Sequence, residues 1–235
     1  MTLSVIPVEG IGEIHPGDEI AVLVADAARL QGTPLQAGDC LVVTQKIVSK
    51  AEDRLVQLDP DDLDARRALV ESESVRIVRR RGDLIISETR HGFVCANAGV
   101  DLSNVAHGWA ALLPVDADRS AKHVRDAIRV RERVEVAVIV SDTFGRPWRR
   151  GVTDVAIGVS GVAAVVDLRE TTDALGRVLQ VTEVAVADEI ASAAELVMGK
   201  AKSVPAAIVR GADPLWLREG TVRELVRPTN EDLFR

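Results

Sequence analysis

The apolar positions of this chain follow two rhythms: short unbroken aliphatic runs, and longer stretches spaced three or four residues apart. Residues 3–8 form a run of the first kind and predict a short strand, followed by a turn-rich stretch over 9–18. From Glu19 onward Ile20, Leu23, Val24, Ala27 and Leu30 share one helical face, with Gly32 as the stop. Residues 40–44 predict a strand buried on both faces, with Lys46 and Lys50 just beyond it. Asp59-Pro60-Asp61-Asp62 sets acids where a helix N-terminus favours them, and the helix is expected to run through Leu69 and Val75 to the basic cluster near Arg80. Strands are expected over 84–87 and 92–96, then a polar segment over 97–104 and a helix over 117–132. A strand over 134–140 ends at Ser141-Asp142-Thr143-Phe144-Gly145-Arg146. Strands over 162–168, 178–186 and 206–209 complete the pattern, with a helix over 188–198 between the last two.

Composition narrows the picture. A chain of 235 residues, 47% apolar and 28% charged, has the make-up of a globular protein with a large core. With no Tyr, three Phe and three Trp, that core must be aliphatic, which suits sheets covered by helices. Scarce aromatics and a formal charge of -7 argue against nucleic-acid binding. No apolar run reaches membrane-spanning length and no signal peptide is recognisable, so a cytoplasmic protein without a membrane partner is expected. Cys40 and Cys95 lie in apolar contexts without metal-ligand spacing and are expected to be buried free thiols. No linker or repeat divides residues 1–235, which read as one unit, with two interwoven subdomains as a variant of that reading.

Three features carry candidate chemistry. Asp142 and Thr143 offer hard oxygens at a strand end, suited to Mg2+ or Mn2+, and Arg146, Arg149 and Arg150 follow at once as forks for carboxylate or phosphate. A turn-capping Asp beside solvated arginines is the competing reading, and spacing alone does not separate the two. Asp101 and Asn104 form a second polar pair, equally readable as a turn or cap. Lys46 and Lys50 suit phosphate neutralisation, or plain solvation. Neither a P-loop nor a G-x-G-x-x-G fingerprint occurs: Gly199-Lys200 is followed by Ala201 and has no glycine at the required distance. The four histidines are scattered and form no hydrolase or metalloprotease signature.

Five segments together resemble one family. Val42-Val43-Thr44-Gln45-Lys46-Ile47-Val48-Ser49-Lys50-Ala51-Glu52, Ala98-Gly99-Val100-Asp101-Leu102-Ser103-Asn104-Val105 and Ser141-Asp142-Thr143-Phe144-Gly145-Arg146-Pro147-Trp148-Arg149 are similar to the coenzyme F420-0:L-glutamate ligases, or gamma-glutamyl ligases. So are Gly151-Val152-Thr153-Asp154-Val155-Ala156-Ile157-Gly158 and Val181-Thr182-Glu183-Val184-Ala185-Val186-Ala187-Asp188-Glu189-Ile190. The resemblance implies an α+β fold of mixed sheets and helices in an intertwined homodimer. It implies a GTP-dependent ligase that joins L-glutamate to coenzyme F420-0 and then adds further gamma-linked glutamates, with Mg2+ or Mn2+ as cofactor and K+ as a further cation. In actinobacteria such a ligase is often fused to a reductase-like domain, so a stand-alone ligase and a ligase half both fit.

Carried over by position, Asp101, Asp142 and Thr143 are metal ligands. Asn104, Lys50, Gln45 and the turn Ile11-Gly12-Glu13-Ile14 bind nucleotide, and Arg146 and Arg149 orient an anionic group. One position departs from the pattern: where many members carry Gln or Glu after Met198-Gly199, this chain has Lys200, and a protonated amine cannot ligate a metal. Two other readings therefore stay open. One is a non-catalytic nucleotide- or deazaflavin-binding homologue, the other a ligase for a different carboxylate acceptor.

Overall fold

A computed structural model describes residues 2–233. Its centre is a five-stranded mixed sheet in the order β1 (Ser4–Val8), β12 (Ala206–Arg210), β2 (Cys40–Thr44), β8 (Ala137–Arg146), β9 (Arg149–Ser160). Only β2 and β8 run parallel; the other neighbouring pairs are antiparallel. The aliphatic runs form these strands because both faces are covered. In β2, Leu41 and Val43 join one core cluster while Cys40 and Val42 join the other, and β8 and β12 alternate in the same way. On the first face lie α1 (Ile20–Leu30) and α4 (Ala117–Glu132), through residues such as Val24, Ala121 and Ile128. On the second lies α5 (Val186–Met198), through Ile190, Ala194 and Met198. The fold is α+β with mixed sheets, as the sequence suggested.

A smaller layer is inserted between β2 and β8. It comprises α2 (Gln45–Ala51), α3 (Leu63–Ser72), a β3–β7 pair (Leu55–Gln57 with Trp109–Ala111) and a three-stranded sheet of β4 (Ser74–Arg81), β5 (Leu84–Thr89) and β6 (Val94–Ala96). Its own core is small, with Val70, Ile85 and Ala98 at its centre.

The structure corrects several expectations. The helix beginning after Asp62 stops at Ser72 rather than near Arg80, and residues 74–81 are strand β4. Alternation of Val75 and Ile77 with arginines, and the Arg76–Glu88 ion pair at 3.0 Å across to β5, favour the hairpin over a longer helix. The run Ser141–Arg146 is not a strand end: β8 continues through it and folds back as β9, an element the pattern did not announce. The expected strands over 162–168 and 178–186 shrink to β10 (Val166–Asp167) and β11 (Glu183–Val184). Val162, Ala163 and Ala164 are buried as a loop under residues 216–220, so their apolar run reports burial rather than strand. Both cysteines are buried and free, and burial pushes each thiol up to about 12. Among the described residues no helix is long and apolar enough to cross a membrane.

Candidate active site

The parallel pair decides where the site is. β2 ends at Thr44 opposite Ser141 while β8 runs on past it, and a cleft of about 1000 Å3 opens beside this point. Helix α2 supplies Gln45 and Lys46 from its first turn and Lys50 from its last; the loop before α1 supplies Ile11 to Pro16; Asn104 and Trp109 close a third side. The extended part of β8 adds Ser141, Asp142 and Thr143, β9 adds Asp154, and the end of α5 adds Glu195, Gly199 and Lys200.

Register explains the β8–β9 corner. Thr143 stands opposite Asp154, and alternation brings Ser141 to the same face. Asp154, only 1% exposed, accepts hydrogen bonds from the Ser141 hydroxyl at 3.0 Å and the Thr143 hydroxyl at 2.5 Å. The Lys200 ammonium completes its surroundings at 3.3 Å and lies 3.9 Å from Glu195. Asp142, between Ser141 and Thr143, leaves on the other side of the strand. Burial pushes its carboxyl up to about 7 against the Thr143 amide and the Lys46 charge, with repulsion from Asp101 and Asp154 adding to the rise.

Asp101 reaches this corner from the inserted layer. Asn97, Ala98 and Gly99 all have positive φ, and at Gly99 a Cβ would meet Leu113 at 2.7 Å, so glycine lets the turn close against the core. Asp101 then exchanges backbone hydrogen bonds with Ala111 and accepts one from the Ser103 amide at 2.7 Å. Its carboxylate meets the Lys46 ammonium at 2.6 Å. Burial raises the Asp101 carboxyl, but Lys46 and Ser103 overcome that and hold it below its ordinary range.

Elsewhere in the cleft, Lys50 pairs with Glu13 at 2.5 Å, tying α2 to the 11–14 turn. Gln45 is buried and donates to Ser49 Oγ and the Leu112 carbonyl, which leaves its Oε1 without a hydrogen-bond partner. A buried acceptor of this kind costs about 1–3 kcal/mol unless a ligand or water supplies a donor. The Asn104 side chain reaches the Lys200 carbonyl at 3.5 Å across the mouth.

Of the residues singled out from sequence, Ile11, Gly12, Glu13, Ile14, Gln45, Lys50, Asn104, Asp142 and Thr143 line this one cleft, and Asp101 adjoins it through Lys46. Arg146 and Arg149 do not line it. They stand exposed at the tip of the β8–β9 hairpin, where Arg146 bonds the Arg150 carbonyl at 3.0 Å. Asp154 and Glu195 were not singled out, although a lone acid inside an apolar strand is a signal that it needs buried partners. Among the described residues no three His, Cys, Asp or Glu side chains form a metal cage by themselves. The chemistry of the corner nevertheless fits a hard divalent ion: Asp142 is destabilised as a carboxylate by burial first and by Asp101 and Asp154 after it, and oxygens from phosphate and water ordinarily complete such a shell.

Comparison with known sequences identifies the family. A model of the family described as F420-0:Gamma-glutamyl ligase matches residues 10–211. The chain belongs to the F420-0:gamma-glutamyl ligase family. Among its relatives is a protein of Methanothermobacter thermautotrophicus named coenzyme F420:L-glutamate ligase, 46% identical over the whole of both chains. A protein of the same name from Methanopyrus kandleri is 43% identical over all of this chain and 98% of its own, and one from Methanocaldococcus jannaschii is 40% identical over 86% of each. The matched region of the family model takes in every cleft segment described above.

Proposed function

We propose that this protein is a coenzyme F420-0:L-glutamate ligase that uses GTP and a divalent cation, Mg2+ or Mn2+, in coenzyme F420 biosynthesis. The observation that carries the reading is one cleft lined by both lysines and acids: Lys46, Lys50 and Lys200 face an anionic co-substrate beside the acids Asp142 and Asp154. Family membership supplies the identity of the substrates, F420-0 and L-glutamate.

Joining a carboxylate to an amine needs an activated acyl group. The F420-0 carboxylate attacks the γ-phosphorus of GTP, the bond to the GDP oxygen breaks, and an acyl phosphate forms. The amine of L-glutamate then attacks the acyl carbon, phosphate leaves with its bonding pair, and the amine loses a proton. A divalent ion bound by Asp101, Asp142 and Thr143 would neutralise charge on the phosphates. Lys50, fixed by Glu13, adds positive charge from the α2 wall, and the unfilled Gln45 acceptor offers a fixed contact to an N–H donor of the nucleotide. Depth matters, because water reaching the acyl phosphate would hydrolyse it.

Arg146 and Arg149 have a role in this scheme through a homodimer. The hairpin that bears them projects from the sheet with Trp148 79% exposed and Val152 62% exposed, and it would bring both guanidinium groups to a second subunit.

Incubation with GTP, Mn2+, L-glutamate and F420-0 followed by mass spectrometry tests the function. Added glutamyl units with GDP release are expected. Lys46 and Lys200, both seated on carboxylates, favour one rival, a homologue that binds nucleotide without turnover. Tight GDP binding with no glutamylation of F420-0 or of any other carboxylate would establish that rival.

A further inference from the structure

Lys46 occupies a peculiar electrostatic position. Its ammonium contacts Asp101 at 2.6 Å, and Asp142 and Glu195 line the same cleft. These acids come from the 97–104 loop, β8 and α5, three separate parts of the fold. A cleft that gathers acids from three elements around one ammonium is where a small cation would also be attracted. Lys46 is 16% exposed and sits in the first turn of α2, directly after β2, so its Cα is fixed by the rigid sheet while four methylene groups leave the ammonium free to swing.

Resting on the ligase reading above, we propose that Lys46 is an exchangeable stand-in for the divalent ion. Without nucleotide its ammonium holds Asp101 and lowers repulsion within the acidic corner. When the ion and nucleotide enter together, the ion takes the carboxylate and Lys46 turns to a phosphate of the nucleotide. Lys46 is thus a positioning residue that couples the two ligands: the ion alone must displace an ammonium that has nowhere better to go, whereas the phosphates provide its new partner. Metal binding is therefore weak until nucleotide is present.

The test measures Mn2+ binding by electron paramagnetic resonance, with and without GDP, in the wild type and in Lys46→Gln and Lys46→Met. Circular dichroism verifies that each variant is folded, and the pair guards against loss of one of them. The wild type is expected to bind Mn2+ at least tenfold more tightly with GDP than without it. The variants should bind Mn2+ without GDP at least tenfold more tightly than the wild type, bind GDP more weakly, and lose most of the coupling. A purely structural Lys46–Asp101 pair would instead leave nucleotide-free Mn2+ affinity unchanged or reduced in the variants, and that result overturns the exchange while leaving the ligase reading intact. Failure of the wild type to bind Mn2+ even with GDP would overturn both.

Discussion

The half-buried acid Asp142 makes the metal-free protein sensitive to pH in a direction opposite to ordinary salt-bridged carboxylates. Its carboxyl is pushed from an ordinary value of 3.8 to about 7, first by burial. Between those values the folded state holds a proton that the unfolded state has released, so stability is full at low pH and is lost as pH rises through about 7. At about 1.4 kcal/mol per pH unit the span corresponds to about 4 kcal/mol, and partial solvent access to the cleft trims this to about 2–3 kcal/mol. Asp142→Asn keeps the shape and removes the charge, so this component of the pH dependence should vanish. About three fifths of that span lies above pH 5, and for a chain of this size about 2–4 °C accompanies each kcal/mol, so the variant should gain about 3–7 °C on the wild type between pH 5 and pH 8. Thermal melts in EDTA at constant ionic strength measure this difference directly. Mn2+ with GDP should narrow the gap at high pH by stabilising the wild type, because the ion pairs with the carboxylate that burial penalises. A wild-type-to-variant difference that stays constant across this pH range would refute the reasoning, since no carboxyl would then be titrating at position 142.

Three further expectations concern the scaffold. Arg210 grips Asp39, which is 1% exposed, through two hydrogen bonds of 2.8 and 2.7 Å; Arg210→Leu should cost about 3–5 kcal/mol in urea melts by stranding that charge. Gly158 faces the start of α4 so closely that a Cβ would lie 2.3 Å from the Ala117 carbonyl; Gly158→Ala should destabilise by about 1–3 kcal/mol or more, and a neutral melt would show that α4 can slide away. Cys40 and Cys95 are buried with thiols raised to about 12, so a thiol reagent at pH 8 should label neither until the protein is unfolded, when both react.

What the sequence made legible follows from the range of each signal. Strands β2, β8 and β12 announce themselves because burial on both faces leaves no polar alternation, and α1, α4 and α5 because each buries one stripe against that sheet. Elements whose partners are distant or small are silent. Helix α2 is only seven residues long and follows β2 without a side-chain cap, so Lys46 and Lys50 read as loop residues although they stand four apart on one helix and line one wall. Strand β4 has Arg76, Arg79 and Arg80 where a buried strand would have aliphatics, because it lies in a solvent-washed hairpin whose pairing is supported by cross-strand charge.

The site divides along the same line. Asp142 and Thr143, hard oxygens directly after an aliphatic run, could be picked out locally, and Gln45 through the family resemblance. Asp154 could not, because its place opposite Thr143 is set by the register of a hairpin turning between Arg146 and Arg149. That register decides the chemistry of the corner: a shift of one residue would turn Asp154 toward the other face of the hairpin and leave the Ser141 and Thr143 hydroxyls without their acceptor. One parallel pair in an otherwise antiparallel sheet is what makes the corner possible. It forces a long insertion between β2 and β8, and that insertion returns Asp101 to within 2.6 Å of Lys46, beside the point where β2 stops and β8 runs on into the hairpin.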